Sequence, residues 1–538
     1  MKSKITKSWA LTSQKLRFFF IVILVLGVFF RFVNPDRKVY WIDETYTSLR
    51  VSGYVETELV DQISNQQIFG IKQLQKYQQV NPQKSVIDTI RGLAVEEPQL
   101  PPLYFIMARE WAQYFGSSVA VMRSLPAVIS LLAFPCIYWL CIELFASPLT
   151  AWMACALFAV SPFHVLYAQE ARPYSLWTVT ILLSSASLLR AMRLNTLRSW
   201  GIYSATVALG LYSYLYFGLI AIGHGIYVLA IEGLRLKKLK AYLLASITGL
   251  LIFLPWIVVL ITNWSNVSNK TGWHNPEVAQ PFSVLVRFWI SNLSRVFIDF
   301  GLLEDLPRPL SIVLKASTLI LFILLGYSIY FVCRSTPKRW LFILTLTFTT
   351  ALALILPDLI SGGLRSTVTR YIIPCYLGIQ LALAYLLATK ITSTPKIQTQ
   401  IWRVITITIL SLGVISCVIN SQADTWYTKY TNYDNPQIAR IINTSVNPLI
   451  LTDTQTKAGI DFNNLGTLMS LSYPLDPKVQ VLVVQPNLPQ IPNTFSDVFL
   501  IQKPTETIKN EIEQQNYKIK PIYYNNYGDI QLWKLEKS

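Results

Sequence analysis

Residues 15–30 read Lys-Leu-Arg-Phe-Phe-Phe-Ile-Val-Ile-Leu-Val-Leu-Gly-Val-Phe-Phe. Lys2, Lys4 and Lys7 add further positive charge upstream of the apolar run Phe18 to Phe30. This has the charged and apolar parts of a secretory signal. However, no small-x-small cleavage site follows, and aromatic and charged residues come next. The run is therefore expected to be an uncleaved first membrane span, with the N-terminus in the cytoplasm.

Working outward, ten more apolar segments centre near 118–145, 149–167, 173–191, 200–217, 218–234, 241–262, 310–332, 340–358, 371–389 and 404–421. Spans of roughly 17–25 residues suit a bilayer, so about eleven helices are expected. Composition agrees: 52% of the 538 residues are hydrophobic and only 14% charged, against about a quarter charged in soluble proteins. The 15 Trp, 28 Tyr and 26 Phe suit bilayer interfaces. These values exclude a disordered chain, a disulfide scaffold and an ordinary cytosolic enzyme.

Charge sets the expected orientation. With the N-terminus inside, the inner loops hold Arg190, Arg193 and Arg198; Arg235, Lys237, Lys238 and Lys240; Arg334, Lys338 and Arg339; and Lys390, Lys396 and Arg403. The remaining inner loop is a tight turn near Ala146–Pro148. This is a positive-inside pattern. It places segments 34–117 and 263–309, and the tail from Gln422, on the outer face. The first 421 residues carry 36 basic and 18 acidic residues, whereas the tail carries 10 and 11. The basic excess thus follows the membrane part and reports topology, not nucleic-acid binding. The six cysteines lie in or beside apolar runs without a CxxC pair, so neither a zinc site nor a disulfide framework is expected.

The fold class expected is an all-α polytopic membrane domain over residues 1–421, including the outer loop 34–117. A small extracytoplasmic α/β domain follows over residues 422–538. In that tail, 448–453, 479–484 and 498–502 read as buried strands, 505–515 as an amphipathic helix, and 517–524 and 529–535 as closing strands. No phosphate-cradling glycine loop is present, and the tail reads as an accessory domain.

Four polar clusters fall on the outer face. Asp43-Glu44 follows the first span. Adjacent carboxylates suit a general base or help to hold a divalent cation, and a solvated acidic loop is the alternative. Glu96-Glu97-Pro98-Gln99-Leu100-Pro101-Pro102 precedes an aromatic segment, where the proline pair also suits a helix start. Gln169-Glu170-Ala171-Arg172-Pro173-Tyr174 occupies a short turn between spans, where charge is costly unless paired or used. Arg365 and Arg370-Tyr371 stand before a later span, where arginine suits either phosphate binding or interface anchoring. His164, His224 and His274 lack a second ligand at helical spacing and read as structural.

In order, these motifs resemble the membrane glycosyltransferases of the GT-C superfamily. The likeness is greatest to family 39, the PMT-like group of protein O-mannosyltransferases and lipid A aminoarabinose transferases. It rests on Asp43-Glu44, on Pro101-Pro102-Leu103-Tyr104, on Arg123-Ser124-Leu125, on Tyr167 through Tyr174, and on Arg370-Tyr371. It covers residues 15–235 best. Leu100 stands where many relatives have His or Lys before the proline pair, so that side chain's role is not carried over.

The resemblance implies a transferase moving a sugar from a polyprenyl-phosphate donor to a protein, lipid or glycan acceptor on the extracytoplasmic face. It implies Asp43 as general base or as the residue that orients the acceptor, with Glu44 in support, and Arg172, Arg370 and Tyr371 at the donor phosphate. Glu97, Gln169, Glu170 and Tyr174 are the implied substrate-binding residues. No cofactor is fixed, and a divalent metal stays open because relatives differ. The expected location is a bacterial inner or plasma membrane. Two other classes fit the composition. A transporter or flippase would carry charges near mid-span and paired broken helices, whereas here the charges stand at span ends. A non-catalytic subunit of a cell-envelope polysaccharide system would tolerate loss of Asp43.

Overall fold

The computed structural model of the chain describes residues 14–63, 68–233, 236–272, 280–301, 307–393, 396–453, 455–456, 459–484 and 488–537. Lys2, Lys4, Lys7, Arg235 and His274 lie outside the described residues. The chain divides into two compact units. The first comprises Met1–Val33, Glu97–Tyr104 and Arg123–Gln422, the second Asn34–Glu96, Phe105–Met122 and Ala423–Ser538.

The first unit is helical and apolar. Among the described residues seven helices are long and apolar enough to cross a membrane, and eight if the bent pair Pro148–Ala159 and Pro162–Ala168 counts as one span. Eleven had been expected. The helix Gln14–Phe32 carries Lys15, Arg17 and Arg31 within its length, and Leu197–Ser213 and Phe217–Glu232 have only 17 and 16 residues. Length and composition therefore establish a multi-span protein without fixing that count.

Helices Leu236–Thr262 and Arg308–Cys333 expose Leu250, Leu251, Ile312, Ile320 and other large apolar side chains. An apolar surface of this extent suits contact with lipid. Helix Tyr174–Leu194 is buried along nearly its whole length. Hydroxyls tie it to its neighbours through Thr180–Ser213 at 3.1 Å and Ser187–Thr206 at 3.0 Å, the kind of cross-helix contact that small polar residues make in membranes.

The second unit gathers a mixed sheet from both the long loop and the tail. Its strands are β1 (Phe69–Gly70), β2 (Pro448–Thr452), β5 (Gln480–Val483), β6 (Asp497–Leu500), β7 (Tyr517–Tyr524) and β8 (Ile530–Lys537), in the order β1-β5-β2-β6-β8-β7. Between β2 and β5 lies a separate two-stranded ribbon, β3 (Gln455–Thr456) with β4 (Gly459–Ile460). β2 runs parallel to β5 and β6, whereas β1, β7 and β8 pair antiparallel. Successive residues of β2 point to opposite faces, and all five are buried. Ile450, Val481 and Phe499 join a core with Trp41, Tyr46 and Leu49 of the loop, while Leu449, Leu451 and Leu500 join a second core with Ile508 and Trp533.

Loop and tail thus share one core, and the contact between helices Ile42–Ser52 and Phe462–Leu471 depends on a glycine. A Cβ on Gly466 would stand 2.2 Å from Ile42 Cγ1. Gly466→Ala is therefore expected to destabilise the fold by about 1–3 kcal/mol, read from denaturation in detergent. Unchanged stability would contradict this packing.

Candidate functional site

In the first unit the site region begins at a helix break. Pro162 has no N–H, so it cannot donate to the Phe158 carbonyl, and the chain bends by 63° between Pro148–Ala159 and Pro162–Ala168. The carbonyls freed by the break face a buried arginine. Arg31 Nη2 donates to Phe158 O at 3.3 Å, and Nη1 donates to Ala159 O at 2.9 Å and Gly27 O at 2.6 Å. Its Nε donates to Ser130 Oγ at 3.1 Å. The rings of Phe134 and Phe158 lie 5.1 and 5.3 Å from the guanidinium carbon. The negative end of the broken helix supplies compensating charge.

Just beyond the break, Gln169 returns the favour, its Nε2 donating to Phe30 O at 3.0 Å and Val33 O at 2.8 Å. Each of two chain segments therefore caps the other's helix end. Gly27 permits the close approach, since a Cβ there would meet Ala159 at 2.6 Å. This clasp fixes the direction of Pro162–Ala168 and so the turn that follows. In that turn Arg172 N donates to Glu170 O at 2.6 Å, and both side chains are buried.

The turn meets a segment some 200 residues later. Tyr167 and Thr369 share a hydroxyl hydrogen bond of 2.6 Å, and the Arg370 guanidinium carbon lies 5.8 Å from the Tyr174 ring and 5.4 Å from Tyr371. Tyr216 packs edge-on to Tyr371 at 5.0 Å. Asp358 secures the approach to Arg370, accepting from Ser366 N at 2.6 Å and Arg365 N at 3.1 Å. The arrangement is a cation held in an aromatic surround, which favours a guanidinium over other cations. Nearby, Ser130, His164, Tyr167, Tyr174, Ser175 and Thr178 line a small cavity. His164 is buried and shares a 2.9 Å hydrogen bond with Gln380 Oε1; His224 is held between Ser185 and Tyr203.

Glu97, also in the first unit, is buried in the turn Glu97–Leu100, whose Pro98 carbonyl accepts from Trp256 Nε1 at 3.0 Å.

Asp43 and Glu44 belong to the second unit. They stand in the first turn of helix Ile42–Ser52, where the helix dipole favours carboxylates. The short helix Tyr427–Asn432 of the tail holds that turn from outside: Asn432 Oδ1 accepts from Ile42 N at 2.7 Å, and Lys429 Nζ lies 3.2 Å from Glu44 Oε2. The far end is fastened by Arg50, paired with Glu56 at 2.7 Å and Glu96 at 2.5 Å. Glu44 and Lys429 are both buried, whereas Asp43 stays partly exposed. The two neighbouring carboxylates thus differ in exposure, Glu44 buried in an ion pair and Asp43 partly exposed.

A double-mutant cycle of Glu44→Gln and Lys429→Met is expected to give a stabilising coupling of about 1–3 kcal/mol, read from denaturation midpoints. Strict additivity would contradict the pair. Among the described residues no group of three or more His, Cys, Asp or Glu side chains is placed to hold a metal ion.

A matched segment and the fold now show what the chain is similar to, in keeping with the PMT-like resemblance that its motifs carry. Residues 99–259 match the family described as dolichyl-phosphate-mannose-protein mannosyltransferase. The crystal structure of ArnT from Cupriavidus metallidurans bound to undecaprenyl phosphate superposes with a TM-score of 0.54, at 11% identity, over 97% of this chain and 98% of that one. The apo state of the same protein gives a TM-score of 0.53 at 11% identity, over 97% of each chain. At that identity the likeness is one of fold. The oligosaccharyltransferase AglB from Archaeoglobus fulgidus matches at 13% identity and a TM-score of 0.45 over 80% of this chain, which spans only 58% of that protein's length. No curated protein matches the sequence significantly.

Proposed function

We propose that this protein is an integral-membrane glycosyltransferase that moves a sugar from a polyprenyl-phosphate donor to an acceptor on the extracytoplasmic face. The observation that carries the reading is the meeting of Tyr167 and Tyr174 with Thr369 and Arg370. It places an arginine among tyrosines in the membrane unit. The positive-inside pattern, about eleven crossings, and an N-terminus in the cytoplasm belong to the same proposal.

In the reaction proposed, the acceptor hydroxyl attacks the anomeric carbon and its proton passes to the Asp43 carboxylate. The bond from the anomeric carbon to the phosphate oxygen breaks, and polyprenyl phosphate leaves with the bonding pair. Negative charge grows on that phosphate as the bond lengthens, so cations aimed at it bind the transition state more tightly than the ground state. Arg172 and Arg370 are assigned that part, with Tyr371 beside Arg370. Glu44 supports Asp43 through its ion pair with Lys429. Glu97, Glu170 and Tyr174 are proposed to bind sugar or acceptor. Gln169 has both its amide bonds on helix-end carbonyls, so its part is proposed to be positioning.

Arg370→Met tests this assignment. The expected result is a fall in kcat/KM of about 10²–10³-fold, the scale for removing one preorganised donor from a transition-state charge. Partial recovery is expected in Arg370→Lys, which restores charge without the planar fork. Unaltered kinetics in a folded Arg370→Met protein would remove Arg370 from the phosphate.

A further inference from the structure

At one end of the membrane unit, cations from several helices gather around a single carboxylate. Glu143, in helix Ala133–Phe145, accepts from Arg193 Nε and Nη2, both at 2.8 Å, and is nine-tenths buried. Lys338 Nζ donates to the Glu143 carbonyl at 3.1 Å, and Arg339 donates to Phe145 O at 3.3 Å and to the Tyr385 hydroxyl at 3.1 Å. Arg190 lies over Trp139 at 5.9 Å. Among the described residues, Arg193 takes the Glu143 carboxylate, while Arg190, Lys338 and Arg339 have hydrogen-bond or ring partners but no ion pair.

Four cations, Arg190, Arg193, Lys338 and Arg339, share this one carboxylate, and an anion would offset the excess positive charge they bring among tryptophan and tyrosine at the end of apolar helices. The aromatic rings give the depth: Trp and Tyr favour the headgroup level of a bilayer. The loops that carry these cations are those whose charge assigns them to the cytoplasmic side.

We propose that this cluster is a binding site for the phosphate of an anionic phospholipid headgroup in the cytoplasmic leaflet. The site is separate from the residues assigned to sugar transfer and rests only on the membrane orientation proposed with that function. Its acyl chains would lie along the exposed apolar faces of the neighbouring helices. The carbonyls already bonded by Lys338 and Arg339 hold those side chains in place before the lipid arrives, which lowers the ordering cost of binding.

The test uses the full-length protein in detergent, titrated with phosphatidylglycerol or phosphatidylcholine, with retained lipid counted by native mass spectrometry. Wild type is expected to retain phosphatidylglycerol in preference. Each basic residue near a headgroup is worth about a fivefold change in affinity, so Lys338→Gln with Arg339→Gln is expected to weaken phosphatidylglycerol binding about 25-fold. Arg198→Gln with Arg403→Gln removes the same charge from elsewhere on that side and is expected to change binding less than about twofold. Should the first pair fail to fold, Arg190→Gln, which gives up a ring contact and an electrostatic contact with Glu143 but no hydrogen bond to a backbone carbonyl, is expected to weaken binding about fivefold.

Equal retention of the two lipids by wild type would overturn the proposal. So would equal losses in the two double variants, which would mean diffuse attraction without a site. Displacement of the lipid by inorganic phosphate at matching concentration would overturn the lipid assignment.

Discussion

Asp43→Asn is expected to lower kcat for sugar transfer by about 10²–10⁴-fold, the contribution of a positioned general base. The substitution keeps the shape of the side chain and removes its ability to take a proton. Helix Ile42–Ser52 keeps its fastenings through Asn432, through Lys429 on Glu44, and through Arg50 on Glu56 and Glu96. Donor affinity is therefore expected to hold while turnover falls. A split of this kind separates loss of chemistry from loss of binding. Glu44→Gln is expected to act on stability first, because its carboxylate is buried against Lys429. Full activity in a folded Asp43→Asn protein would give the general-base part to another residue.

The second large effect lies far from any proposed proton transfer. Arg31→Met would leave the Phe158 and Ala159 carbonyls without their donors inside an apolar helical unit. Inside an apolar helical unit an unpaired carbonyl is costly. A loss on the order of 3–5 kcal/mol is expected, the scale for removing one partner of a buried charged contact. It would be read as a fall in thermal midpoint in a lipid nanodisc. Lys15→Met, at the exposed start of the same helix, serves as the comparison and is expected to leave the midpoint within experimental scatter. Equal midpoints for Arg31→Met and wild type would show that the break between Ala159 and Pro162 is satisfied in some other way.

These two residues also mark how far the sequence could be read. Apolar runs are local, so the spans near 119–145, 174–194, 308–333 and 337–361 were legible directly. The buried tail strands were legible for the same reason: β2 at 448–452 and β5 at 480–483 lie within two residues of where β-branched and apolar runs placed them. Asp43 stood out as part of an acidic pair beside a span. What separates it from Glu44 did not, because the cation that buries Glu44 lies 385 residues along the chain.

Arg31 reads in sequence as one more interfacial anchor. Its partners are carbonyls 127 and 128 residues away, and backbone acceptors leave no mark on side-chain patterning. Pro162 was the available signal, since a proline inside an apolar run frees a carbonyl that something must meet. β1 was missed for another reason. Phe69–Gly70 is a two-residue strand whose only cause is the β5 edge it pairs with. The contact of Tyr167 and Tyr174 with Thr369 and Arg370 was likewise beyond spacing. Only the resemblance set those segments to a common task.

The most direct measurement of the central claim is donor choice by the purified protein in nanodiscs. A panel of polyprenyl-phosphate sugars and the matching nucleotide sugars would be offered, with transfer to added acceptor or slow release to water counted from a radiolabel. Transfer or release from at least one polyprenyl-phosphate sugar, and none from the nucleotide sugars, is the predicted result. Turnover of nucleotide sugars alone, or neither turnover nor binding of any lipid-linked donor by the folded protein, would contradict it.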